Sequence, residues 1–309
     1  MKDVGQRPAE VAALRHAVPY LRLFRGKTFV VKAGGEAFAE EATARAVLEQ
    51  VAILHHLGIA TVLVHGGGPQ TSEISRALGV EPRFAAGRRV TDERSLEAAV
   101  MALNGRVNTG ILAVCRALEV PAVGLSGVDA GLLRARRRPP VEVEGERVDY
   151  GFVGDLVEVD VRPLAAVLAA GYLPVVSPLA ADAAGALLNV NADGAASALA
   201  VALAAEKLLF LTGAPGILAR REDPRSLVSL TDLPGLARLR GEGALAGGML
   251  PKAEAIETAL RGGVRRVHIL SFALPDAVLT EVFTNEGCGT MVVADLTALR
   301  AEAGGGGSG

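Results

Sequence analysis

The sequence predicts an α/β fold, a mostly parallel sheet with helices on both faces. Short apolar runs alternate with helical patterns through most of the chain, which is how such a sheet reads. The first two runs end in glycine clusters, the expected chemistry of strand ends that turn sharply into helices. With 309 residues, 50% of them hydrophobic, the chain can bury a sizeable core in one large domain or two closely packed lobes.

The elements follow in order. Residues 9–24 carry Val11, Leu14, Val18, Leu21 and Phe24 at spacings of three or four, an apolar helical stripe interrupted at Pro19. Residues 28–32 (TFVVK) read as the first buried strand and end at Gly34-Gly35. Residues 40–57 read as a helix, and 60–65 (ATVLVH) as a strand ending in Gly66-Gly67-Gly68-Pro69 before a helix to about Ala77. A helical pattern covers 95–118, and 121–125 is a short strand. Alternation from Leu132 to Val159 predicts β hairpins with a turn near Gly145. Helix 162–170, strand 173–177, helix 194–205 and strand 207–212 follow, then a mixed connection from Asp223 to Gly243. The last unit holds a helix from Pro251 to Leu260, a strand at 265–270, a helix at 276–284 and a strand around 290–293. Pro251 suits a helical first turn, where a missing N–H costs least. The terminal AGGGGSG has no means of burying surface, resembles a linker and is expected to be disordered.

Composition excludes several classes. Aromatic residues make up 4% with no Trp, so Ala, Val and Leu must fill the core. Thirty-two basic and 34 acidic residues leave a formal charge of −2, which favours neither nucleic acid nor an anionic membrane as partner. Cys115 and Cys288 are far apart in apolar surroundings and read as buried free thiols. The charged, interrupted N-terminus is no signal peptide, and no uncharged apolar run reaches spanning length, so a cytoplasmic location is expected. His16, His55, His56, His65 and His268 lack metal-ligand spacing, and no protein metal site is expected.

In a mostly parallel sheet, ligands bind beyond the C-terminal ends of the strands. There Gly34 and Gly35, and Gly66, Gly67 and Gly68, would expose backbone N–H groups that can cradle phosphate oxygens. The helix after Gly68 adds the positive end of its dipole. A tight turn alone would also use glycine, but two clusters at adjacent strand ends, one just after Lys32, point to an anion site. The pattern is neither a Walker loop nor a dinucleotide fingerprint. Lys32 closes an apolar strand, where it is desolvated unless an anion meets it. Lys252 sits at a helix start, locally unfavourable for a cation unless it serves an external anion or is simply solvated. Asp193 could cap the helix that follows it or hold both lysines. Asn189 and Asn191 alternate along a strand-like segment, which places both amides on one face. Arg88 and Arg89 offer a fork for a carboxylate, and the local sequence leaves open which points inward.

The ordered set VVKAGG (30–35), VHGGGPQ (64–70), GRRVTD (87–92), VGLSGVDAG (123–131), NVNADGAASALA (189–200), LTGAPGIL (211–218), GGMLPKAEA (247–255) and EVFTNEGCGTMV (281–292) resembles the amino acid kinase family over about residues 19–294. Within it the set is most similar to the N-acetylglutamate kinases. The resemblance implies a three-layer α/β/α sandwich of the carbamate-kinase-like kind. It implies a kinked N-terminal helix for oligomerisation (1–26), a substrate-binding and dimerisation lobe (27–178), a nucleotide-binding lobe (179–298) and a disordered tail (299–309). The implied reaction is transfer of the ATP γ-phosphoryl group, with Mg2+, to the side-chain carboxylate of N-acetyl-L-glutamate in arginine biosynthesis.

By the matching motifs, Lys32 and Lys252 would neutralise the transferring group and Asp193 would organise them. Gly34, Gly35, Gly67 and Gly68 would supply donors around phosphates and carboxylate, and Arg89, Asn189 and Asn191 would bind the acidic substrate. Thr212, Gly213, Gly216, Gly247, Gly248 and Met249 resemble the nucleotide side. The family also implies a dimer core, a hexamer built through the N-terminal helix, and arginine as an inhibitor bound near His268, Glu281 and Gly287. The chain departs from the family pattern at Glu36, Thr109, Gly213 and Ser271-Phe272-Ala273. Alternatives are a kinase of another acylated or carrier-linked amino acid carboxylate such as aminoadipate, and a regulatory amino-acid-binding relative without catalysis. An acid at position 36 facing an acidic substrate would oppose binding, so Glu36 is expected to project away from the crevice or to pair with a basic side chain.

Overall fold

The computed structural model describes residues 9–143 and 145–299. Eight strands form the central sheet in the spatial order Leu230–Asp232, Thr290–Val293, Arg266–Ser271, Lys207–Thr212, Thr28–Ala33, Ala60–His65, Leu173–Ser177, Ala122–Ser126. The six strands from Arg266–Ser271 to Ala122–Ser126 are mutually parallel. Thr290–Val293 runs antiparallel to Arg266–Ser271 and carries Leu230–Asp232 parallel to itself at the edge. The mostly parallel α/β sheet expected from the sequence is what forms.

Strand periodicity decides which side chains reach the site. In Thr28–Ala33, the side chains of Phe29, Val31 and Ala33 enter a core with Leu48, Val51 and Val278 from helices Glu41–His56 and Ala277–Phe283. Val30 points the other way, into a core with Ala195, Leu199, Ile256 and Ala259 from helices Ala192–Ala202 and Met249–Arg261. Two residues beyond Val30, Lys32 shares that second face. Helices therefore cover both faces, and Lys32 projects toward the two helices that carry Asp193 and Lys252.

A second sheet, ordered Leu187–Asn189, Leu179–Ala181, Leu133–Arg137, Gly154–Val159, flanks the first. The expected turn at Gly145 joins strands Val141–Val143 and Glu146–Val148, with Gly145 at φ 84°. The hairpin Arg83–Ala85/Arg88–Val90 and the helix Leu233–Gly241 were not evident in the sequence pattern. Three-residue strands carry too little alternation to read, and Pro234 and Gly235 mask a helix that Asp232 starts by accepting from Gly235 N–H at 2.9 Å.

The first helix, Ala9–Phe24, continues through Pro19 rather than stopping there. Its last turn is tied down: Phe24 is buried edge-on against Phe29, and the Tyr20 hydroxyl donates to Asn285 at 2.7 Å. Val11 and Leu14, toward its start, are exposed. The helical stretch Glu93–Ala117 is long and apolar enough in composition to span a membrane, yet Ala98, Ala99, Leu103, Val107 and Ile111 are buried against the fold. Its middle, Met101–Asn108, is wound as a π-helix, which its sequence pattern did not reveal. The glycine-rich tail from residue 303 lies outside the described residues.

Candidate active site

Both glycine clusters meet at the C-terminal edge of the sheet. Gly66 N–H donates to the Ala33 carbonyl at 2.8 Å, which joins the two strand ends. A Cβ on Gly35 would lie 2.8 Å from the Gly67 α-carbon and 2.9 Å from Pro69 Cδ, so only glycine allows the turns to nest. Gly67 is the N-cap of helix Gly68–Ala77, whose positive end therefore faces the same space. The result is a cleft of about 280 Å³, the scale of a small metabolite, lined by Lys32, Gly34, Gly35, Gly66–Gly68, Arg89, Asn189 and Asn191 among others.

Lys32 lines this cleft, and two charged side chains from distant parts of the chain converge on it beside Ala192 and Pro251 of the lining. Lys32 Nζ lies 2.7 Å from Asp193 Oδ1, and Lys252 Nζ donates to Asp193 Oδ2 at 2.8 Å. All three residues are buried. Burial pushes the Asp193 carboxyl upward, but Lys32 and Lys252 outweigh it and hold its pKa at about 2. Burial lowers Lys252, partly offset by Asp193. Lys252 also sits 4.7 Å from the centroid of Phe210, which is opposite Lys32 on the neighbouring strand. One carboxylate thus fixes two ammonium groups side by side and leaves a net positive charge. The helix-capping alternative for Asp193 fails, because Asn191 performs that task by accepting from Gly194 N–H at 3.0 Å.

The opposite wall is built by the hairpin. Its turn residues Ala86 and Gly87 take φ of 45° and 73°, the left-handed pair of a two-residue hairpin loop. Arg89 lies over the Phe84 ring at 4.8 Å, and its Nη2 donates to Gly68 O at 3.0 Å and Ser72 Oγ at 2.6 Å. Its Nη1 is buried without a partner among the described residues. A planar carboxylate would satisfy that donor. Arg88 also lines the cleft but donates to Glu254 Oε2 at 3.2 Å, on the helix of Lys252, so Arg89 is the one of the two with a buried, unpartnered donor among the described residues. Asn189 Nδ2 donates to Thr91 Oγ1 at 3.3 Å beside it.

These features are a match in kind to a phosphotransfer site, and the relatives agree. Residues 27–271 match the amino acid kinase family. This chain belongs to the amino acid kinase family. It is 52% identical over 294 residues to the acetylglutamate kinase of Myxococcus xanthus, covering 93% of this chain and 96% of that one. It is 46% identical over 285 residues to the acetylglutamate kinase of Symbiobacterium thermophilum, covering 92% and 97%. Among solved structures, N-acetylglutamate synthase from Neisseria gonorrhoeae complexed with coenzyme A and L-arginine aligns with a TM-score of 0.80 and 31% identity. That alignment covers 92% of this chain and 65% of the synthase chain. Carbamate kinase from Giardia lamblia, bound to AMP-PNP, shares the fold at a TM-score of 0.58 and 20% identity, covering 87% and 99%.

The residues assigned to the nucleotide side in this amino acid kinase family member do not line the cleft. Thr212 ends the strand beside Lys32, and its Oγ1 accepts from Ala214 N–H at 2.8 Å. A Cβ on Gly213 would meet the Phe272 ring at 3.8 Å, so two of the departures from the family pattern lie against each other. Gly216, at φ 156°, has Thr290 Oγ1 2.5 Å from any Cβ, which gives it a packing role in addition to any ligand. Gly247 and Gly248 lead into Met249, the first residue of the Lys252 helix.

Glu36 departs from expectation. It was expected to point away from the cleft or to pair with a base. Instead it lines the cleft, with its Oε2 2.5 Å from where a Cβ on Gly34 would stand. Among the described residues it makes no salt bridge as close as that of Lys32 with Asp193, although its charge favours the protonated form of Lys252. The short 3-10 turn Gly35–Phe38 folds the side chain back over Gly34, a reversal that no periodicity announces. Phe210 and the π-helix behind the glycine turns were also missed. Phe210 reads as one more core residue of an apolar strand until its register to Lys32 is known.

Proposed function

We propose that this amino acid kinase family member phosphorylates the side-chain carboxylate of N-acetyl-L-glutamate with ATP, giving N-acetyl-L-glutamyl 5-phosphate and ADP, as a step of arginine biosynthesis. The observation that carries this is the buried Lys32–Asp193–Lys252 set facing two nested glycine turns. The identity to named acetylglutamate kinases over nearly the whole chain supports the choice of acceptor.

The chemistry needs no base. A carboxylate is ionised at neutral pH, so its oxygen attacks the γ-phosphorus directly. The bond from that phosphorus to the β–γ bridging oxygen breaks, and ADP leaves with the electron pair. The obstacle is bringing two anions together in line. Lys32 and Lys252 compensate the charge on the transferring group, and Asp193 keeps them at fixed distance, so no reorganisation is needed at the moment of reaction. The N–H groups of Gly34, Gly35, Gly67 and Gly68 and the Gly68–Ala77 helix end orient phosphate and carboxylate oxygens. Arg89 Nη1 takes the substrate α-carboxylate, with Asn189 and Asn191 beside it. Thr212, Gly213, Gly216, Gly247, Gly248 and Met249 bound the nucleotide.

Mg2+ would screen the phosphate charge. No group of three His, Cys, Asp or Glu among the described residues could hold it alone. That suits an ion delivered on ATP oxygens.

ADP release that depends on both N-acetylglutamate and Mg2+ tests the reading. Stoichiometric amino acid binding without turnover would instead make the chain a regulatory module. Arg89→Leu should raise the KM for N-acetylglutamate roughly 10- to 100-fold, the size of a charge-assisted contact, with the KM for ATP little changed. If Arg88→Leu does this and Arg89→Leu does not, the arginine roles are reversed. Glu36→Gln should lower the KM for the acidic substrate by more than about threefold, since Glu36 opposes an incoming carboxylate. An unchanged or higher KM would show that the side chain swings clear on binding.

The assembly belongs to the same reading. The lobe 27–178 makes a dimer core, the lobe 179–298 takes the nucleotide, and the exposed Val11 and Leu14 join dimers into a hexamer. Arginine binds between the first helix and the buried chain in which His268 Nδ1 meets Glu281 Oε1 at 2.7 Å and His268 Nε2 meets Lys207 Nζ at 3.1 Å. The Neisseria synthase complexed with L-arginine supports that ligand. Deleting residues 1–24 should turn a hexamer into an active dimer by light scattering. A full-length dimer would contradict the assembly.

A further inference from the structure

His65 ends the strand Ala60–His65 on the face opposite Lys32, outside the cleft and completely buried. Its Nδ1 lies 3.0 Å from the Gly66 carbonyl oxygen, and its Nε2 lies 3.1 Å from Asn108 Nδ2. The same Asn108 nitrogen donates to the Val175 carbonyl at 3.0 Å. A carbonyl can only accept, so the Asn108 group facing it is the NH2, and its second N–H faces His65. Nε2 must then accept, the ring proton sits on Nδ1, and Nδ1–H donates to Gly66 O. Burial drives the imidazole pKa down to about 4, so the ring is neutral at working pH.

The consequence falls on the cleft. In a trans peptide the C=O and the following N–H point in opposite directions. Pinning the Gly66 carbonyl back onto His65 turns the Gly67 N–H forward, toward the anion space. The π-helix supplies the backing. Leu103 Cδ2 would lie 2.7 Å from a Cβ on Gly67, and Asn108 stands five residues on. At 3.6 residues per turn, two residues five apart would sit about 140° apart around the helix. Winding Met101–Asn108 as a π-helix brings Leu103 and Asn108 onto the same side, against the same turn.

We propose that His65, held in one tautomer by Asn108 on the π-helix, is a positioning residue that aims the Gly67 N–H at the transferring phosphoryl group or its acceptor carboxylate. This rests on the kinase reading for its kinetic consequence, but the tautomer does not.

The test combines spectroscopy and kinetics on the full chain. With 15N-labelled histidine, His65 (assigned by its loss in His65→Gln) should show the Nδ1–H tautomer in wild type and stay neutral to pH 5. Asn108→Asp is nearly isosteric and places an acceptor toward Nε2, so the proton should move from Nδ1 to Nε2. The Gly66 carbonyl is then released, and kcat should fall 10- to 100-fold while the KM for MgATP stays within threefold. A ring that becomes charged instead keeps its Nδ1–H on Gly66 O and should leave kcat within threefold, and a 10-fold loss there would overturn the proposal. An Nε2–H tautomer in wild type would overturn the proposal. So would a tautomer switch in Asn108→Asp with kcat within threefold of wild type. If Asn108→Asp does not fold, His65→Gln takes its place, with the same kinetic split expected and an unchanged kcat overturning the proposal. The nitrogen shifts need no substrate, so a wild type inactive on N-acetylglutamate would refute the kinase reading separately.

Discussion

Lys32→Ala and Lys252→Ala should each lower turnover about 100-fold or more while the protein stays folded. Each lysine supplies positive charge where the transferring phosphoryl group spreads negative charge over its oxygens. Removing one preorganised electrostatic partner of this kind costs about 3–4 kcal/mol in the transition state. The ground state loses less, so kcat should carry most of the change rather than KM. The two substitutions should not add fully, since both lysines act through the same carboxylate at 2.7 and 2.8 Å. Steady-state kinetics on purified, folded variants decides it. Near-normal kcat in either variant would remove that lysine from the mechanism.

Asp193→Asn is expected to cost both activity and stability. Without the carboxylate, Lys32 and Lys252 face each other buried and unneutralised, and breaking a buried ion pair costs on the order of 3–5 kcal/mol. One lysine should shed its proton or move, so turnover should fall about as far as in the lysine variants. The pH dependence has a definite sign. Folding depresses the Asp193 carboxyl to about 2 from its usual value of 3.8. Its contribution to stability is therefore fully present above about pH 4 and is lost as pH falls toward 2. Asp193→Asn should lack that part of the acid transition. Thermal melts from pH 2 to 7, beside kcat, make the comparison. Lower stability with normal kcat would leave Asp193 a structural role only.

The alternation of strands and helices was legible because each buried strand carries a continuous apolar run. The location of the site followed from glycines at two strand ends. What the residues alone could not give was convergence. Lys32, Asp193 and Lys252 are separated by long stretches of chain, and the residues alone left open whether Asp193 held both lysines or capped a helix until the resemblance to the amino acid kinases, and then the sheet order, joined them. Asp193 was read as a possible helix cap and Asn191 as part of a strand-like segment, but Asn191 is the residue that caps, through a side-chain rotation that sequence does not encode. Glu36 was expected to avoid the cleft on electrostatic grounds, yet the turn Gly35–Phe38 directs it inward. The π-helix was hidden because its apolar spacing fits an α-helix as well. His65, noted only for its lack of metal-ligand spacing, gains its role from Asn108 and Val175, neither of which is near it in sequence.

Trapping the acyl phosphate with hydroxylamine tests the central claim most directly. The full-length protein would be incubated with MgATP and, in parallel, N-acetylglutamate, glutamate, aspartate or N-acetyl-aminoadipate. The hydroxamate should form fastest with N-acetylglutamate, in proportion to ADP released, and about 100-fold or more slower in Lys252→Ala. Preferred turnover of N-acetyl-aminoadipate, or no hydroxamate from any carboxylate, would contradict this account.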